Sequence, residues 1–208
     1  MSDVTRVKIC GITRVEDGLL AAQLGAWALG FIFAEGSPRQ LSVARARELI
    51  ARLPANILKV GVFVDASLDL IHAAADAGIT VAQLHGKIPA GVLKAGELPY
   101  IIARAPSNRE ELLDLAQYTG ANALLIDGHV LGLQGGTGVA ADPALAIAAK
   151  KFHPRVILAG GLRPDNVRAA VRAVEPFAVD ASSGLESAPG VKDPEKLKAF
   201  FEALKVPA

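Results

Sequence analysis

Eight short apolar runs recur along this chain at a spacing of about 25 residues, and each is followed by a polar or amphipathic segment. In order they read RVKICGI, WALGFIF, ILKVGVFV, VAQLHG, YIIARA, ALLIDG, RVILAGG and PFAVDASSG. Most are continuously apolar and do not alternate, which is the pattern of parallel strands covered on both faces. The intervening VEDGLLAAQLG, VARARELIARL, NREELLDLAQYTG, PDNVRAAVRAV and PEKLKAFFEAL read as crossover helices. Eight such units predict an α/β fold, a closed (β/α)8 barrel of the TIM type with eight parallel strands and eight outer helices. A doubly wound open sheet is the second architecture compatible with the alternation.

The chain has 208 residues, 51% of them hydrophobic and 21% charged, enough to bury a full core. No composition break or Ser/Gly-rich linker interrupts it, so residues 1–208 are expected to form one catalytic domain. Basic and acidic residues number 22 and 21 and form no long run of one sign, which points away from nucleic acid and anionic membranes and toward a small-molecule partner. The opening MSDVTRVK lacks a signal-peptide core, and the longest nearly uninterrupted apolar stretch, GAWALGFIFA, is far shorter than a membrane span. A cytoplasmic protein is expected. The single cysteine fits a reducing compartment, and the four histidines are not spaced as zinc ligands, so no metal is expected. A symmetric interface leaves no mark in one sequence, and monomer and homodimer both stay open.

In a barrel of this kind the chemistry sits at the C-terminal ends of the strands. Those ends carry Cys10-Gly11, Asp65, His85-Gly86, Asp127-Gly128, Gly160-Gly161, and Asp180 followed by Ser182, Ser183 and Gly184. Each glycine could simply permit a tight β-to-α turn. Together, after strands seven and eight, Gly160, Gly161 and Gly184 expose backbone N–H groups, and Ser182 and Ser183 add hydroxyl donors. That set is a cradle for a phosphate monoester. The long irregular stretch GHVLGLQGGTGVAAD, residues 128–142, has the length of an active-site lid.

A lone cysteine is usually a small buried hydrophobe. At the end of strand one, however, Cys10 faces the pocket, and Lys8 lies on the same side of the strand by period-two alternation. A neighbouring ammonium favours the thiolate. Asp127 closes the apolar run ALLID, where it is either a solvated turn aspartate or a pocket carboxylate. A thiol on strand one and a carboxyl group on strand six suit a pair in which one gives a proton and the other takes one. Arg39, in EGSPRQ, is either an exposed arginine or a bidentate clamp for a substrate carboxylate. His85, in QLHG, either orients substrate or is a hydrogen-bonded interior histidine.

Taken in order, KICGIT, ALGFIF, SPR, VGVFV, QLHG, LLID followed by GGTG, LAGGLRPDNV and VDASSGLESAPGVKD make the chain resemble the phosphoribosylanthranilate isomerases of tryptophan biosynthesis over nearly its whole length. The resemblance implies a cofactor-free Amadori rearrangement of N-(5-phosphoribosyl)anthranilate to 1-(o-carboxyphenylamino)-1-deoxyribulose 5-phosphate. It implies Cys10 as general base and Asp127 as general acid, with Arg39 against the anthranilate moiety. It also implies Gly160, Gly161, Ser183 and Gly184 around the phosphate, and Asp180 near the sugar hydroxyls. After GGTG, where related sequences commonly carry an aromatic residue and then Asp-Trp, this chain reads VAADPALA. The start of helix six is therefore in question, with Pro143 suited to its first turn.

Two other readings bear weighing. Another phosphosugar isomerase or epimerase on the same barrel would need an aspartate at position 10, two similar halves, or metal-ligating His and Asp residues at several strand ends. A phosphate-binding barrel without turnover would share the cradle. It would have no need for Cys10, Arg39 and Asp127 together.

Overall fold

The eight apolar runs pair in chain order. A computed structural model describes residues 5–93, 98–128 and 142–205. In it β1 (Arg6–Ile9), β2 (Ala28–Ile32), β3 (Leu58–Val64), β4 (Val81–His85), β5 (Tyr100–Arg104), β6 (Ala123–Ile126), β7 (Val156–Leu158) and β8 (Ala178–Ala181) form a closed barrel in the order 1-2-3-4-5-6-7-8. Every neighbouring pair is parallel. The seam is the β1–β8 ladder, which aligns Arg6 with Ala178 and Lys8 with Asp180. Closure rules out the open doubly wound sheet.

Alternation along the strands sorts side chains into two cores. Phe31, Phe33 and Phe63 belong to the larger one, where strands meet helices, and Phe33 stacks on Phe63 with ring centroids 5.1 Å apart. Val60, Ile101, Leu125 and Ile157 are joined by Ala28, Ala123 and Ala178 in the second cluster, the lower barrel interior. Above it lie Cys10, Ile32, Ala34 and Val62. The barrel is thus filled by side chains from below and turns polar toward the strand ends.

A helical segment follows each strand. α1 (Val15–Gln23), α2 (Val43–Ile50), α3 (Leu68–Asp76), α4 (Pro143–Ala149), α5 (Val167–Val174) and α6 (Pro194–Lys205) are α-helices. Ser42 and Ser67 cap α2 and α3 by accepting from the backbone N–H groups of Arg45 and Leu70. Asp142 caps α4 by accepting from Ala144, with Pro143 in the first turn as expected. The departure from family pattern at VAADPALA therefore still starts a well-capped helix. Units four and five instead carry 3-10 segments, Ala90–Leu93 and Glu110–Gln117. The second replaces an expected ordinary helix for a visible reason. Its inward residues Leu112 and Leu115, and then Tyr118, are spaced by three, and a 3-10 turn stacks residues i and i+3 on one side.

One element was not expected. After β8 and a short 3-10 turn, β9 (Glu186–Ala188) and β10 (Val191–Lys192) form an antiparallel hairpin. Pro189-Gly190 makes its turn, with Gly190 at φ 79° as the third position of a type II turn requires. The proposed lid over residues 128–142 falls almost wholly on residues 129–141, outside the described residues. Among the described residues no helix is long and apolar enough to cross a membrane.

Phe63, 1% exposed and stacked on Phe33, anchors the strand–helix core. Phe63→Ala is expected to cost about 3–5 kcal/mol, read as a fall in the guanidinium midpoint. Leu113→Ala, at a side chain 65% exposed, is expected to stay within about 0.5 kcal/mol.

Candidate active site

The site begins at the seam. Lys8 and Asp180 are register partners on β1 and β8, and the ammonium donates to Asp180 Oδ2 at 2.8 Å with both side chains buried. Burial by itself would drive the Lys8 pKa down. The fields of Asp180 and Cys10 outweigh it and hold Lys8 above its ordinary value, so it stays an ammonium. Asp180 Oδ1 is also buried and has no hydrogen-bond partner among the described residues.

Cys10 stands two residues beyond Lys8 on the same wall, buried, with its N–H bonded to Ala181 O at 2.9 Å. A Cβ on Gly30 of β2 would come within 2.7 Å of Cys10 Sγ, so glycine there is what makes room for the thiol. The electrostatics correct one expectation. Lys8 does pull the thiol toward ionisation, as does Lys192, but burial and the Asp180 carboxylate push the other way and win. The Cys10 pKa is raised, and the unliganded site holds a thiol at neutral pH.

His85 ends β4 inside the barrel, paired with Gln83 through their Nε2 atoms at 2.8 Å. Burial, reinforced by the charges of Lys8 and Arg104, lowers its pKa to about 3. The ring is neutral at any physiological pH. It therefore accepts the Gln83 amide at Nε2 and carries its proton on Nδ1. Of the two readings open for His85, the hydrogen-bonded interior histidine describes this state.

Asp127 follows β6, three strands from β1 by way of β8 and β7, and is half-buried. Its N–H donates to Arg104 O at 2.9 Å, which holds the residue as a continuation of the strand at the barrel mouth. Asp65, also at a strand end, takes φ 47° and accepts the Lys87 N–H at 2.7 Å, tying the loop after β3 to the loop after β4.

After β7, Gly160 and Gly161 adopt φ values of 96° and 57°, and neither donates to a backbone carbonyl among the described residues. Ser182 leaves β8 with a buried hydroxyl that also lacks a partner among the described residues. Ser183–Leu185 then turn as a 3-10 segment. A Cβ on Gly184 would lie 2.2 Å from Leu162 O, so only glycine lets the β8 loop close against the β7 loop. The five residues expected to cradle a phosphate are thus gathered by two adjacent strands.

Arg39, read from the sequence as either an exposed arginine or a carboxylate clamp, is already engaged by a carboxylate of the protein itself. Its Nε and one terminal nitrogen donate to the two carboxylate oxygens of Glu186, at 2.8 and 2.6 Å. Glu186 Oε1 also accepts from Lys192 Nζ at 2.8 Å. The Lys192 N–H donates to Asp17 Oδ2 at 3.0 Å. Glu186, Lys192, Asp17 and Gln83 were not singled out from the sequence. The usable signal for the first two was Pro-Gly between two short runs in GLESAPGVKD, which marks a hairpin.

The arrangement holds a buried thiol beside an ammonium, a carboxyl group at the end of another strand, an unsatisfied buried carboxylate oxygen, and two glycine N–H groups that donate to no backbone carbonyl among the described residues. Such a set can move protons on an anionic substrate. Among the described residues no group of His, Cys, Asp or Glu is clustered to hold a metal ion.

The chain is similar to known proteins over nearly its whole length. Residues 7–203 match the family model described as N-(5'phosphoribosyl)anthranilate (PRA) isomerase. The N-(5'-phosphoribosyl)anthranilate isomerase of Geotalea uraniireducens is 44% identical over 211 residues, covering 97% of this chain and 99% of that protein. A crystal structure of the phosphoribosyl anthranilate isomerase of Thermus thermophilus superposes with a TM-score of 0.84 at 42% identity, covering 96% and 98% of the two chains. A phosphoribosyl anthranilate isomerase solved in complex with reduced 1-(o-carboxyphenylamino)-1-deoxyribulose 5-phosphate gives a TM-score of 0.84 at 35% identity, with 97% and 98% covered.

The raised Cys10 pKa has a direct readout, since Cys10 is the one cysteine. Alkylation of the native protein by iodoacetamide is expected to be slow at pH 7 and to accelerate only above the ordinary thiol value of about 8.5. Lys8→Met removes a charge that favours the thiolate, and is expected to move the rise to still higher pH. A labelling rate already at its plateau at pH 7 would contradict the balance of burial over Lys8.

Proposed function

The chain belongs to the N-(5'-phosphoribosyl)anthranilate isomerase family and is an isomerase of tryptophan biosynthesis, and we propose that Cys10 and Asp127 are the base and acid of its Amadori rearrangement. The observation that carries this assignment is the placement of the two groups on separate walls of one mouth, with the phosphate cradle on the strands between them.

Asp127, as the carboxylic acid, gives its proton to the ribose ring oxygen. The C1–O bond breaks as the anilino nitrogen's lone pair forms the C1=N bond, leaving an open-chain protonated Schiff base. The Cys10 thiol first releases its proton to solvent, favoured by the cationic Schiff base beside it, and the thiolate then takes the C2 proton. The electrons of that C–H bond become the C1=C2 bond, and those of C1=N return to nitrogen. The resulting enolamine gains a proton at C1 and loses one from the C2 hydroxyl to give the aminoketone. Each step moves only protons and electron pairs, so the route asks for no cofactor.

The surroundings support these roles. A cationic Schiff base beside Cys10 favours the thiolate that burial disfavours. Asp180 Oδ1 is the acceptor offered to a sugar hydroxyl, and a hydroxyl donating there weakens the carboxylate's opposition to thiol ionisation. Lys8 holds Asp180 in place for that task. Gly160, Gly161, Ser182, Ser183 and Gly184 bind the phosphate through N–H and hydroxyl donors. Arg39 meets the anthranilate carboxylate, and neutral His85 helps shape the wall beside Lys8. Residues 1–208 act as one catalytic domain. A base that must stay reduced and unpaired suits the reducing cytoplasm.

Anthranilate fluorescence, followed with freshly generated phosphoribosylanthranilate, tests the assignment. Cys10→Ser and Asp127→Asn are each expected to lower kcat by about 10²–10⁴-fold while leaving KM within about threefold. If either variant kept its turnover with an intact fold, that residue would not be the acid or base named here.

A further inference from the structure

Arg39 reaches the mouth of the barrel over Gly11. A Cβ there would lie 2.6 Å from Arg39 Cδ. The arginine is 14% exposed in its side chain, and Glu186 beneath it only 5%. Both Glu186 oxygens are engaged by Arg39, while Lys192, fully buried, donates to Oε1 and to Ser182 O. Glu186 and Lys192 face each other across the hairpin as register partners. The hairpin is tied down on the far side by the Lys192 N–H to Asp17 and by Lys196 Nζ to Glu186 O at 2.7 Å.

These contacts have a consequence for recognition. An arginine has five N–H donors in a rigid fork. Glu186 uses the Nε side, which leaves the opposite terminal nitrogen for a ligand. Because Lys192 locks the carboxylate, the guanidinium cannot rotate away, and the side-chain entropy of ordering it is already lost before substrate arrives. Burial lowers the Lys192 pKa against the pull of Glu186; with Lys192 as an ammonium, one carboxylate between two cations leaves the trio with a net charge of +1, so a second anion is still attracted. Burial pulls the Glu186 pKa upward, but the hydrogen bond from Arg39 and the charge and hydrogen bond of Lys192 more than reverse this, so it stays ionised.

We infer that Glu186, fixed by Lys192, is a positioning residue that presents Arg39 to the carboxylate of the substrate and so sets specificity for an N-aryl group bearing an ortho carboxylate. The inference rests on the reading of Arg39 given above. It adds that the selectivity is built into the β9–β10 hairpin, outside the eight strand ends where the chemistry lies. Glu186 acts through Arg39 and not on the reacting atoms. Its loss should therefore appear in KM and not in kcat.

The test is a double-mutant cycle on steady-state kinetics with phosphoribosylanthranilate, using Glu186→Gln, Arg39→Ala and the double variant. Glu186→Gln is expected to raise KM by about 10–100-fold, the weight of a charged hydrogen bond, with kcat within about threefold. In the Arg39→Ala background the same change is expected to move KM by less than about twofold. Glu186→Asp keeps the charge but withdraws it by one methylene, and is expected to raise KM in the same direction should the glutamine variant fail to fold. A fall in kcat with KM unchanged, or full multiplication of the two effects in the double variant, would overturn the positioning role. An Arg39→Ala variant with unaltered KM would instead overturn the reading of Arg39 itself, whatever Glu186 does.

Discussion

The pair Lys8–Asp180 is the interaction on which the rest of the site hangs. It lies across the β1–β8 seam, the one ladder that joins the two ends of the chain's strand order and closes the barrel. An ammonium and a carboxylate buried this deeply are tolerable only when each has the other, because removing one partner strands an uncompensated charge in the interior. Closure brings them together, and their pairing in turn penalises any register in which β1 and β8 slip by one residue. The same pair sets the field around Cys10, one charge drawing the proton off the thiol and the other holding it on.

Above that layer the polar groups are arranged by strand and not by sequence proximity. Cys10 and Asp180 share the seam, while Asp127 stands three strands away. The β7 and β8 loops, whose backbones nearly touch at Gly184 and Leu162, fill the arc between them. In the proposed reading, a substrate held by its phosphate in that arc has Cys10 to one side and Asp127 to the other. The geometry therefore separates binding from proton transfer. In the proposed reading the phosphate meets backbone and hydroxyl donors, while a thiol and a carboxyl group on separate strands move the protons.

Much of this was legible along the chain. Continuous apolar runs such as ILKVGVFV have the pattern of strands covered on both sides, and eight of them in alternation with helices point to one barrel. The ends of those runs then name Cys10, Asp127, Asp180 and the glycine pairs by position. Other features escaped. Leu112 and Leu115 fit a helical pattern equally well at period three or 3.6, and packing of both with Tyr118 against the core chose the tighter 3-10 turn. The partner of Arg39 was not legible because the carboxylate that engages it comes from a residue 147 positions later. Glu186 and Lys192 looked like ordinary charges in a polar loop until the Pro-Gly turn folded them inward.

The sequence by itself determined the eight strand–helix units and the reactive groups at the strand ends, because strand burial and strand ends are local properties written in apolar periodicity and turn residues; closure into a barrel was decided by the tertiary structure. Only the tertiary structure decided the state of those groups. Whether Cys10 is a thiol, whether His85 is charged and whether Arg39 is free depend on the sum of burial and of charges brought from distant strands. Those fields act through space at a few ångströms, and spacing along the chain carries no record of them.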